Sequence, residues 1–357
     1  MSKVVLSLCL AVLIVVSLAG CGGGAQGGST GSSEKPAASE PAKSADNASG
    51  TEKAPASEKA EAKKITVGVT IQGNKSTFMQ YVVAGMKDYV KDMKDVELLV
   101  VYAEDKAEKQ VGQVDNFIAQ KVDAIIVNPI DKEASAPAID AAVKANIPVI
   151  TVNTQTTNQS KATAFSGCDD VQSGEIQMQY IADLLGGKGN VCFIHGAMGH
   201  PAQIGRREGY MNILKKYPDM KLVFEQTADW QADKAMVLVE NWLQTGKQID
   251  AIACNCDTEA IGAENAIDAA KKTGKIIVMG MDAIPDVMKS IKDGVIAGTI
   301  WQDGIGQGKN AVDLAIRAAK GEKVQSIFIP YELVNRKNID DYYKKADERD
   351  AITKKYF

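Results

Sequence analysis

Histidine is nearly absent from this chain. Its 357 residues include two, His195 and His200, which excludes a His-rich metal centre. Cysteine is scarce, and no Cys-x-x-Cys occurs. The nearest approach, Cys254-Asn-Cys256, has the wrong spacing for a redox pair or a zinc knuckle. There is no Gly-x-x-x-x-Gly-Lys-[Ser/Thr] loop, no Gly-x-Gly-x-x-Gly after the first strand, where Gly73 stands alone, and no Gly-x-Ser-x-Gly elbow. Nucleotide cradles and serine-hydrolase chemistry are thereby removed. No Lys/Arg cluster appears and the net charge is −4, which argues against a nucleic-acid surface. Asp169 and Asp170 are adjacent, and as strand neighbours they would face opposite ways, so their spacing gives no acid/base pair. Asp282 and His200 have no accompanying nucleophile. No catalytic residue, metal or cofactor is expected, and the chain does not read as an enzyme.

What is present begins with an apolar run from Val4 to Ala19, shorter than the ~20 residues of a spanning helix. It follows Lys3 and ends in Leu18-Ala-Gly-Cys21, which resembles the bacterial lipobox, where cleavage precedes a lipid-modified cysteine. The expectation is a signal peptide over 1–20, lipidation at Cys21, and a location outside the cytoplasm on the outer face of the cell membrane. The competing reading is an uncleaved signal anchor. Residues 22–62 contain no aromatic, Val, Ile, Leu or Met. Such a stretch buries too little apolar surface to offset its ordering entropy. A disordered tether over 21–62 is therefore expected, with an r.m.s. reach of about 35 Å.

From Ile65 onward, β-branched runs alternate with helical spacing. Ile65–Ile71, Val96–Tyr102, Ala124–Asn128 and Pro148–Asn153 read as strands with helices between them. The pattern repeats with Asn190–His195, Lys221–Glu225, Ala251–Cys254 and Ile276–Gly280. Near-continuous apolar strands separated by helices mark parallel sheets covered on both faces. Two α/β units follow, roughly 64–167 and 168–300. Beyond them, Ile296–Ile300 and Ile327–Tyr331 flank a helix from Ile305 to Lys320. Cys168, Cys192, Cys254 and Cys256 are expected to be reduced and packed as small apolar groups. Parallel sheets bind ligands at the carboxyl ends of their strands. Amides, carboxylates and a guanidinium gather at those ends: Gln72 to Thr77, Asn153 and Thr154, His200 to Arg206, Asn255 to Asp257, Asp282, Gln302 and Asp303. Any one cluster also fits an ordinary solvated loop. Together, with Phe78, Trp230 and Trp301 nearby, they point to a polar ligand between two domains.

The residues from about 64 to 345 resemble the type I sugar-binding proteins of bacterial ABC importers, most of all the galactose/glucose-binding protein and next the ribose-binding protein. The likeness rests on Gly68-Val-Thr-Ile71 with Phe78-Met79, Gly199-His-Pro201 with Arg206, Trp230, Gly280-Met-Asp-Ala283 with Pro285, and Ala297-Gly-Thr299. It implies two Rossmann-like, doubly wound α/β lobes joined by a three-segment hinge near Gly167, Gln302 and Pro330. The lobes would comprise 63–167 plus 303–330 and 168–302 plus 331–357. It also implies site roles. Asn153 would bind a hydroxyl, and His200 and Arg206 would donate to hydroxyls and the ring oxygen. Phe78 and Trp230 would cover the two faces of the ring, Asp282 would accept from two hydroxyls, and Gln302 would sit at the hinge. Thr154 completes the fourth strand end.

The chain departs from the galactose/glucose pattern at Ser76, Ala202 and Cys256, where that pattern has two carboxylates and an amide. The ligand is thus expected to be held differently, with Ser76 and Cys256 as site candidates. The calcium loop of that relative is replaced by Gly186-Gly-Lys-Gly-Asn190, so no calcium site is expected. The resulting expectation is a monomeric lipoprotein that closes on a small neutral monosaccharide or cyclitol such as inositol and docks on ABC permease subunits. A receptor passing sugar occupancy to a sensor kinase or chemoreceptor is the alternative.

Overall fold

The computed structural model describes residues 64–357. The expected signal peptide, lipidated Cys21 and tether lie outside the described residues. Among the described residues, no helix is long and apolar enough to cross a membrane.

The first sheet is built from β1 (Ile65–Ile71), β2 (Val96–Tyr102), β3 (Ala124–Val127), β4 (Val149–Asn153) and β5 (Ala164–Gly167). Helices α1 (Thr77–Val90), α2 (Ala107–Ala119) and α3 (Ala136–Lys144) connect the first four of them. The chain then enters a second sheet through α4 (Asp170–Leu185). This sheet contains β6 (Lys188–His195), β7 (Asp219–Thr227), β8 (Ala251–Cys254), β9 (Ile277–Met279) and β10 (Gly298–Trp301), connected by α5 (Pro201–Leu214), α6 (Ala232–Gln244), α7 (Asp257–Ala269) and α8 (Pro285–Asp293). It returns to the first lobe for α9 (Gly304–Ala319) and β11 (Ile327–Phe328). It ends with β12 (Glu332–Asn335) in the second sheet and α10 (Ile339–Thr353).

The strand orders are β11-β5-β4-β3-β1-β2 and β12-β10-β9-β8-β6-β7. All pairings are parallel except β10 with β12. Three passages between the sheets follow β5, β10 and β11. This is the two-lobed, hinged α/β architecture expected from the sequence. Strands β3, β4, β5, β8 and β10 are buried along their whole length, as strands covered on both faces must be. The four cysteines of the body are free and buried.

Helix capping places polar residues at the strand ends. Ser76 caps α1, Asp169 caps α4, and Asp303 caps α9, each side chain accepting a backbone N–H of the first turn. Asp169 and Asp170 thus open a helix, which corrects their reading as strand neighbours: β5 has already ended at Gly167. Cys254 and Cys256 likewise do not share a strand face, since β8 ends at Cys254 and Cys256 caps α7.

Candidate functional site

The lobes touch where the carboxyl ends of their sheets face each other. The Lys132 N–H donates to the Gly199 carbonyl at 3.0 Å. Gly199 has φ +86°, and a Cβ there would lie 2.2 Å from Asp131 Oδ2, so the approach requires glycine.

His200 stands beside this contact as the cap of α5. Its Nδ1 accepts from the Ala202 N–H at 3.2 Å, so Nε2 carries the hydrogen and donates to Gln72 Oε1 of the first lobe at 3.2 Å. Burial, with Arg206 close by, lowers its pKa to about 3, so the ring is neutral. The Trp230 ring lies edge-on to it, 5.1 Å between centroids. Trp230 sits at φ 64°, and its backbone N–H donates to Glu259 Oε1 at 3.0 Å. Its ring covers Gly196 so closely that a Cβ there would come within 2.1 Å of the indole. Any side chain at 196 would push the aromatic plane out of position.

Arg206 projects from α5 into the interior, its side chain 4 % exposed, whereas that of Arg207 is 44 % exposed and pairs with Glu225 on the surface. The Arg206 Nη1 donates to the Asn255 carbonyl at 2.6 Å, its Nε lies 3.3 Å from Asp170 Oδ1, and its guanidinium carbon lies 6.0 Å from the Trp230 ring centre. Burial opposes its charge, but Tyr331, Asp170 and Asp282 hold its pKa above the ordinary value. The Tyr331 hydroxyl donates to Asp170 Oδ1 at 2.9 Å and lies 3.4 Å from Gln302 Oε1. Gln302 Nε2 in turn donates to Asp282 Oδ1. Arg206, Asp170, Tyr331, Gln302 and Asp282 therefore form one chain of polar contacts beginning in α5 and passing through the hinge. Burial raises the Asp282 carboxyl to about 6, against the pull of Arg206 and the Gln302 hydrogen bond.

Behind this chain, Asp257 accepts from Thr299 Oγ1 at 2.7 Å and from the Ile284 N–H at 2.9 Å. Glu259 accepts from the backbones of Trp230 and Cys256. Burial lifts both carboxyls to about 8. The Cys256 thiol is buried and its pKa raised well above the ordinary value, with Glu259 and Asp282 nearby adding to the effect.

The first lobe contributes fewer free groups. Asn153, at φ 67°, donates from Nδ2 to Gln307 Oε1 at 3.1 Å. The Thr154 hydroxyl donates to the Pro129 carbonyl at 2.8 Å, and Ser76 Oγ accepts from Met79 N–H at 3.4 Å. Both hydroxyls serve the lobe's own loops. Phe78 is buried, meeting Tyr81 edge-on at 6.5 Å, and is not in ring contact with Trp230. The structure thus brings His200, Arg206, Trp230, Asp282, Gln302 and Cys256 into one neighbourhood and places Phe78, Asn153, Thr154 and Ser76 on the opposite lobe. Asp170, Tyr331 and Glu259 are members that the sequence reading did not single out, whereas Gln72 opens one of the strand-end clusters it named. Two shallow depressions, about 350 Å³ on the outer side of α4 and about 440 Å³ along α5, lie outside this network. Among the described residues, no group of three or more His, Cys, Asp or Glu is arranged to hold a metal.

The chain is similar to known binding proteins. A family profile described as a periplasmic binding protein domain matches residues 67–323. The chain is 34 % identical to the xylitol-binding protein of Mycolicibacterium smegmatis over 73 % of this chain and 74 % of that one. It is 31 % identical to the ribose import binding protein of Bacillus subtilis, over 77 % and 88 % of the two chains. Among solved structures, an ABC transporter solute-binding protein from Bacillus halodurans C-125 with bound myo-inositol is 37 % identical. It superposes with a TM-score of 0.78, covering 80 % of this chain and 99 % of that one.

Proposed function

Taking as premise that the chain belongs to the periplasmic binding protein family, we propose that it binds a small neutral polyol, a cyclitol such as myo-inositol or a monosaccharide, between its lobes. The observation that carries this reading is the buried chain from Arg206 to Asp282 beside the Trp230 plane. A polyol has an equator of hydroxyls and apolar C–H faces. A guanidinium and a carboxylate meet hydroxyls as donor and acceptor, and an indole covers a C–H face. The relatives that bind xylitol, ribose and myo-inositol share this requirement.

The lobes, 63–167 plus 303–330 and 168–302 plus 331–357, would close on the ligand, whose preference for the closed form sets the equilibrium. The closed form would dock on an ABC permease as a monomer. Lipidation at Cys21, with 21–62 as a leash, would hold it at the outer face of the membrane. A Cys21→Ala variant released into the medium, or left uncleaved, supports the anchor, and continued lipid labelling of it refutes the anchor.

A thermal-shift screen tests the ligand class, because a ligand of the folded state raises stability by mass action. Myo-inositol, xylitol, ribose, galactose and glucose form the panel. A saturable rise in melting temperature with a polyol is expected, accompanied by altered tryptophan emission as Trp230 is covered. No shift with any neutral polyol overturns the reading.

A further inference from the structure

Helix α10 lies beyond residue 323, where the family match ends. Its first half packs on the second lobe, with Asp340 2.9 Å from Lys292 and Lys345 2.8 Å from Glu332. Beyond its midpoint it meets α1 of the first lobe. Lys355 lies 3.7 Å from Asp88, and the Lys87 ammonium sits over the Phe357 ring at 5.1 Å.

Arg349 stands at the crossover. It is 3 % exposed, and its guanidinium is held between the ring of Tyr81 from α1, at 4.1 Å, and that of Trp301 from β10, at 4.9 Å. From the edge of the plane, Nη1 donates to the Ala283 carbonyl at 2.9 Å and approaches the Asp282 carbonyl at 3.4 Å. Nε donates to Asp350 at 2.9 Å.

Those two carbonyls belong to the turn that carries Asp282. Asp282 and Ala283 have φ of 116° and 52°, a region that costs non-glycine residues free energy and persists where surroundings enforce it. The amides of the turn are satisfied: Asp282 N–H donates to the Ile300 carbonyl at 2.9 Å, Ala283 N–H to Thr299 Oγ1 at 3.3 Å, and Ile284 N–H to Asp257 Oδ2 at 2.9 Å. Arg349 supplies the donor for both carbonyls. Without it, two acceptors in a buried turn lose their partner, and the strained conformation loses one side of its support.

We propose that Arg349 is a positioning residue: it fixes the Asp282 turn in its ligand-accepting orientation and, by stacking on Tyr81, ties that orientation to the first lobe. The proposal rests on the reading of Asp282 as a ligand group. A guanidinium suits the task because it can lie against two aromatic rings while its N–H groups donate. Lysine keeps the charge but not the plane.

The test uses the full-length chain with Arg349→Lys and, as the harsher change, Arg349→Gln. In ligand-free protein, exchange of the Ala283 and Ile284 amides is expected to quicken by about tenfold or more, as follows from losing a buried hydrogen bond. Amides of β3 and β8 should keep their protection. Unchanged exchange at 283–284, or a uniform rise across both lobes, overturns the proposal, the latter marking a merely structural residue.

Titration with myo-inositol provides the second arm. Arg349→Lys is expected to weaken binding about tenfold. In an Asp282→Asn background the same change should cost less than about twofold, because coupled residues are non-additive. Additive losses overturn the proposal. If the unaltered protein binds none of the polyol panel, the ligand reading fails, while the exchange arm still decides whether Arg349 holds the turn.

Discussion

The two walls of the cleft are made of different materials. From the first lobe come Gln72, Phe78, Asn153 and Thr154, all uncharged, and much of their hydrogen-bonding capacity is engaged within the protein by Gln307, Pro129 and His200. From the second come Asp170, Arg206, Asp257, Glu259 and Asp282, all interior, with burial shifting the carboxyls upward. Hydrogen bonds to ionised groups are roughly twice as strong as neutral ones. Under the proposed reading the second lobe would supply the larger share of the energy available to a ligand, through Arg206 and Asp282, with the first as a neutral cover. The pH sensitivity of binding should likewise reside in one wall.

The sharpest way to break this contrast is Arg206→Ala. Truncating one member of a buried charge pair costs about 2–5 kcal/mol, so calorimetric affinity for the best polyol should fall by at least thirtyfold. Next comes pH. Hydroxyls donate to the ionised form of Asp282, whose carboxyl titrates at about 6. Affinity should fall toward about tenfold per unit as the pH drops below 6 and the proton competes. Asp282→Asn should flatten that profile, while a first-lobe variant should retain it.

Asn153→Ala on the neutral wall should cost about 1 kcal/mol, the worth of an uncharged hydrogen bond. A loss equal to that of Arg206→Ala would end the distinction between the walls. Smallest of all is Arg207→Ala. Its partner Glu225 lies at the surface, and exposed pairs contribute about 0.2–1 kcal/mol to stability, so binding should be unchanged within error.

Much of this wall was legible in the sequence because parallel strands are apolar along their length and ligand groups follow them directly. His200, Trp230, Asp282 and Gln302 follow a strand or begin the next helix, Arg206 lies in the second turn of α5, and they share one neighbourhood. Arg206 is buried where its neighbour Arg207 is exposed, since a helix turns consecutive residues toward different surroundings. Thr154 and Ser76 sit at the same kind of strand end, yet their hydroxyls are taken by local backbone groups, which composition does not reveal.

Asp170 was missed because the Asp-Asp pair was read as strand. An aspartate followed by a long helical run is an N-cap signature, and it would have put Asp170 in the first turn of α4, close enough to pair with Arg206. Tyr331 and Arg349 carried no such local sign. Their partners lie far away in sequence: 161 residues between Tyr331 and Asp170, and 66 between Arg349 and Ala283. Only tertiary structure unites them.

The connectivity also makes each lobe depend on distant stretches of sequence. Each sheet is finished by a strand from the end of the chain, β11 beside β5 and β12 beside β10, and α9 packs against α1 across 224 residues in the Tyr89–Asp313 hydrogen bond. Residues 308–357 thus cover one edge of each sheet and a face of α1. Each lobe therefore depends on segments distant in sequence, and contacts of such separation carry a larger loop-closure cost and form more slowly than local ones.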